Sequence, residues 1–151
     1  MSAMLFHKQR ILSISGGMNW NETDAPGAEA IEALALAAIE ALPEAFRAPA
    51  AAVVLRVEDF ASDEMLADVG LEDPFELTGL YDGVPLTEKS ISDQPVQPDA
   101  IWLFRRAILD EWVARGDVSL GELVAHVYVH ELAHHFGWSD EDIATIDRWW
   151  E

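Results

Sequence analysis

At 151 residues with a net charge of −19 and no cysteine, the chain is long enough for one ordinary core but has neither a disulfide framework nor a thiolate metal site. Such acidity repels nucleic acid and anionic membrane, so neither is an expected partner. Solubility is the plain account of the charge, and attraction of cationic peptides the functional one. No run approaches membrane-spanning length, and Ile11–Ser15 is too short for a secretory core, so a cytoplasmic protein is expected.

In chain order, residues 1–24 lack periodicity and hold Gly16-Gly17, which reads as a flexible lead-in. The remainder, 25–151, reads as a single domain. Ile31, Leu34, Ala35, Ala38, Ile39 and Leu42 share one face at helical spacing, with Pro26 ahead and Pro43 behind, so a helix is predicted over about 27–41. Val53–Val57 is a strand by β-branched content. Ser62-Asp63-Glu64 opens a short helix or loop that ends at Gly70. Leu80-Tyr81-Asp82-Gly83 reads as a strand entering a turn.

Residues 87–98, with Pro95 and Pro98, form a polar loop and a candidate rim for a site. Ala100–Phe104 is apolar on both faces, as a strand covered on both sides would be. A short helix over 107–115 stops at Gly116. Ser119 and Glu122 have capping-box spacing and open a helix over about 120–136. Ser139-Asp140-Glu141-Asp142 starts a last helix, to about Trp150, with acids in its first turn.

The chemistry lies in His130-Glu131-Leu132-Ala133-His134-His135-Phe136-Gly137-Trp138-Ser139-Asp140, an H-E-x-x-H extended to H-E-x-x-H-x-x-G-x-x-D. On a helix His130 and His134 lie about 40° apart and one turn along, which suits two corners of a zinc tetrahedron. Glu131, about 100° round from His130, flanks the metal and can act as general base. If the helix continued, Asp140 would face away; Gly137 accepts the left-handed conformation that ends helices and lets the chain turn back. Two imidazoles and one carboxylate leave one position open, as catalytic zinc requires. Chance gives the extended motif in roughly one chain in ten thousand of this composition, so an exposed helix with two solvated histidines is set aside.

Neighbouring polar residues have plainer readings. His126 and His134 lie about 12 Å apart along one helix, too far for one ion, so His126 is read as packed or as a support behind the ligands. His135 points off the metal face and is read as a polar contact. Tyr128, on the opposite face, is read as core, whereas Tyr81 between Gly79 and Gly83 stays open as an oxyanion stabiliser. Glu141 and Asp142 compete with Asp140 for the metal. Trp149 and Trp150 are read as core or an interaction patch.

The sequence V-H-E-L-A-H-H-F-G-W-S-D-E-D-I resembles the zincin-like metallopeptidase family of small bacterial proteins, the minimal zincin type. Leu42-Pro43-Glu44, Val57-Glu58-Asp59, Gly79-Leu80-Tyr81-Asp82-Gly83 and Ile101–Arg106 follow its pattern in the same order, over roughly residues 28–147. The resemblance implies a compact α+β fold: a small sheet packed with helices, and a metal-bearing active-site helix near the C-terminus. It implies zinc (Zn2+) on His130, His134 and Asp140, with Glu131 as general base. The expectation is a zinc-dependent hydrolase, a metallopeptidase acting on peptide or protein. The alternatives are a metal-binding interaction module with little or no hydrolysis and a metal-free structural protein. Oligomeric state is not legible.

Overall fold

The structure is a computed structural model and describes residues 19–88, 98–139 and 141. Among these, five α-helices surround a three-stranded sheet, an α+β architecture. The helices are α1 (Ala28–Glu40), α2 (Glu44–Ala51), α3 (Asp63–Asp68), α4 (Arg105–Arg115) and α5 (Leu120–His135). The strands are β1 (Val54–Glu58), β2 (Gly79–Asp82) and β3 (Ala100–Phe104). The predicted helix beyond Ser139, with Asp140, Asp142, Trp149 and Trp150, lies outside the described residues apart from Glu141, which is exposed.

β3 is the central strand. It pairs in parallel with β1 and antiparallel with β2, in the order β1-β3-β2. Side chains alternate across a strand, so Ile101 and Leu103 face one side and Trp102 and Phe104 the other. Both sides are covered, as the apolar run predicts. Ile101 and Leu103 are fully buried in the main core with Ile31 and Ala35 of α1 and Val124, Val127 and Tyr128 of α5. Phe104 is buried in a smaller cluster with Leu66 of α3, and Trp102 packs against it. Burying each of these large side chains stabilises the fold by about 1.5–3 kcal/mol.

Three differences from the sequence reading have physical causes. A second helix, α2, follows α1 directly. Pro43 supplies its N-cap, but Pro49 lies inside it and lowers its propensity, which hides it in the sequence. α4 starts at Arg105, two residues earlier than the periodicity indicates, because it leaves β3 without a loop. β1 runs one residue later than predicted, at Val54–Glu58. The start of the described chain is anchored: Arg105 Nε donates to the Pro26 carbonyl at 2.7 Å and Arg105 also meets Asp59 at 3.1 Å.

Candidate metal centre

α5 begins with the capping box that its sequence predicts. Ser119 Oγ accepts from the Glu122 amide at 3.1 Å, and Glu122 Oε2 accepts from the Ser119 amide at 3.0 Å. Leu123, Val124, Val127, Tyr128 and Leu132 anchor one face in the core. That anchorage turns His130, Glu131 and His134, all half-buried, toward a cleft.

The helix ends as Gly137 predicts. Gly137 has φ +87°, its N–H donates to the His134 carbonyl at 2.9 Å, and the Trp138 N–H donates to the Ala133 carbonyl at 3.0 Å. These two bonds form a Schellman motif. The reversal brings the Trp138 carbonyl back to His134 Nδ1, at 3.1 Å. A carbonyl can only accept, so Nδ1 carries the proton and Nε2 presents its lone pair. Holding the remote nitrogen in this way is how metal-ligating histidines are oriented.

One ligand atom each from His130, Glu131 and His134 lie within 4.8 Å of one another, and the two imidazole rings are 5.0 Å apart. Two imidazole nitrogens at this spacing suit a divalent transition metal, and the Glu131 carboxylate lies beside them, where a general base is needed. Among the described residues His126 is not part of this group. Asp140, the expected third ligand, is outside the described residues.

The cleft, of about 760 Å³, is walled by α5 on one side and β2 on the other, with Pro85, Thr87 and Glu88 at one rim. Thr87 and Glu88, the first residues of the predicted loop, line the rim from a 3-10 turn over Leu86–Glu88, and residues 89–97 lie outside the described residues. Gly79 sets the gap between strand and helix. A Cβ there would lie 2.7 Å from Val127 Cγ1 and 3.3 Å from Glu131 Cγ, so any side chain would push β2 away from the helix that carries Glu131.

β2 is an edge strand among the described residues. The Phe104 N–H donates to the Thr78 carbonyl at 2.9 Å, which fixes the pairing phase. In an antiparallel ladder the hydrogen-bonded pairs alternate, so Leu80 and Asp82 point their backbone groups at β3, and Gly79 and Tyr81 point theirs outward, away from β3.

Tyr81 lines the cleft, but its hydroxyl is engaged elsewhere. It donates to Asp99 Oδ2 at 3.1 Å and lies 2.9 Å from His135 Nδ1. Burial, followed by the nearby Asp99 carboxylate, raises its pKa above the ordinary tyrosine value, so it keeps its proton and serves as a donor. His135 is buried and makes the polar contact expected of it. Tyr128 is core, as read, with its pKa pushed up to about 12 by burial. Asp99 is the residue that sequence reasoning missed: a single carboxylate beside a strand has no spacing that marks it.

No curated protein matches the chain. The profile of the zincin-like metallopeptidase family matches residues 50–150, about two thirds of the chain. That span contains the whole sheet, the cleft and the H-E-x-x-H helix. With motif, architecture and profile in agreement over the same residues, the chain belongs to the zincin-like metallopeptidase family.

Proposed function

We propose that the protein is a zinc-dependent peptidase in which His130, His134 and Asp140 hold the metal and Glu131 is the general base. The observation that carries this reading is the convergence of His130, Glu131 and His134 to within 4.8 Å beside β2, an edge strand among the described residues. Family membership implies a divalent metal, and ligands without thiolate favour zinc over softer ions. Zinc, when bound, supplies a Lewis acid that polarises a carbonyl and acidifies a water.

The chain's own residues do the rest. The outward backbone groups of Gly79 and Tyr81 bind an extended peptide as an added strand, which aligns one of its carbonyls along α5. Glu131, with its stem against Gly79, accepts a proton from the attacking water and delivers it to the departing amine nitrogen. The Trp138 carbonyl holds the His134 ring in the ligating tautomer. Leu77, Leu80 and Val69 give the cleft an apolar wall against which water is excluded from the bound segment.

The test compares wild type with Glu131→Gln on a peptide library at matched zinc occupancy. Zinc affinity should change little while cleavage falls by about 10²-fold or more. Equal cleavage by both would mean a different base or a contaminating protease, and no cleavage by either would favour a metal-binding interaction module. Ligand identity is tested in parallel: Asp140→Ala should weaken zinc far more than Glu141→Ala or Asp142→Ala.

A further inference from the structure

Tyr81, Asp99 and His135 come from three separate places in the chain, at β2, at the start of β3 and at the last residue of α5, yet their polar atoms meet at one point. Tyr81 Oη and His135 Nδ1 are 2.9 Å apart, Tyr81 Oη and Asp99 Oδ2 3.1 Å, and His135 Nδ1 and Asp99 Oδ2 3.3 Å. The His135 and Asp99 side chains are only 6% and 8% exposed. A carboxylate only accepts, so the consistent arrangement has the Tyr81 hydroxyl donating to Asp99 and the His135 Nδ1–H directed between the two oxygens. Asp99 Oδ1 in turn takes the Val84 N–H at 3.4 Å. Gly83 leaves room for the cluster, because a Cβ there would lie 2.5 Å from Asp99 Oδ1 and 2.8 Å from the Tyr81 hydroxyl.

We propose that this buried network is a positioning device for the metal centre: it fixes the last turn of α5, and with it His134, against β2 and the base of the loop that rims the cleft. The proposal rests on the metal site argued above. Neighbouring histidines 134 and 135 are then held from opposite sides, one by the Trp138 carbonyl and the other by Tyr81 and Asp99. Rotation of the terminal turn would break the His135 bonds to Tyr81 and Asp99, which come from other elements, and would carry His134 and its cap with it. Tyr81 and Asp99 act through His134 and do not themselves touch substrate with these groups.

The experiment substitutes cobalt(II) for zinc in the full chain and records its visible absorption, which reports ligand geometry, together with zinc affinity and melting temperature. Tyr81→Phe removes one hydroxyl and keeps the ring. It should weaken zinc by about tenfold or more and shift the cobalt spectrum. Trp112→Phe is the control: it removes the Trp112 Nε1–H bond to the Val118 carbonyl, 3.0 Å long and far from the motif. It should lower the melting temperature without moving the spectrum. If Tyr81→Phe loses stability but keeps wild-type zinc affinity and spectrum, the network is structural only and the proposal is overturned. If Tyr81→Phe does not fold, Asp99→Asn takes its place with the same expectation: it keeps the shape but turns one of the two acceptor oxygens into an NH2 donor, which must face either the Val84 N–H or the Tyr81 and His135 donors. A wild-type chain that takes up no cobalt removes the proposed function and this inference together, whereas normal loading with an unchanged Tyr81→Phe removes this inference alone.

Discussion

Gly137 does two jobs that no other residue can combine. Its φ of +87° is strained for any L side chain, and a Cβ would press into Thr87 on the cleft rim. Gly137→Ala should destabilise the protein by about 1–2 kcal/mol, read from urea unfolding, and should lower zinc affinity because the Trp138 carbonyl moves with the turn. An unchanged unfolding midpoint would refute the left-handed conformation. Tyr128 gives a prediction in pH. Its folded pKa is pushed up to about 12 by burial, above the unfolded value of about 10. Below the unfolded value both states hold the proton and nothing is lost. Between the two values the unfolded state ionises first and is favoured, so stability should fall as pH rises across that window. Tyr81, whose pKa is also raised, adds a fall of the same sign. Tyr128→Phe should flatten part of the slope in urea midpoints measured against pH; an identical slope would assign the loss to other groups.

At the scale of elements, α5 carries two kinds of information that happen to coincide. Its capping box is local, and Ser119→Ala should cost about 1 kcal/mol in thermal unfolding while zinc affinity holds, since His130 lies beyond the first turn. A matching loss of zinc affinity would mean that the helix transmits fraying along its length. Such local chemistry is what made α5 legible: caps, a left-handed glycine and histidines one turn apart all act within a few residues. β3 was legible for a related reason, because five consecutive apolar side chains must be covered on both faces. α2 was not, since its interior Pro49 argues against a helix that packing nevertheless holds. Asp99 was not, since its partners Tyr81 and His135 are 18 and 36 residues away in the chain, and the β2–β3 pairing and the packing of α5 against β2 are both needed to bring them together.

For the molecule as a whole, the balance of core and site decides how metal and stability are linked. Both hydrophobic clusters are built from side chains outside the His130–Glu131–His134 group. The fold should therefore persist without metal, and metal should add to it by mass action: zinc at 100 times its dissociation constant should stabilise the native state by about 2.7 kcal/mol. Calorimetric scans with zinc and with a strong chelator would show two folded states with different melting temperatures. A chelated chain with no cooperative transition would mean that metal is needed to fold.

The tautomer of His134 is chosen by the backbone, through a carbonyl that the helix cap itself supplies. The orientational entropy of that ring is consequently lost during folding and not at the moment of capture. Loading then resembles a key entering a cut lock more than a hand closing, and ions should exchange in and out of the folded chain on the timescale of ligand encounter and release, with no slow refolding phase between them.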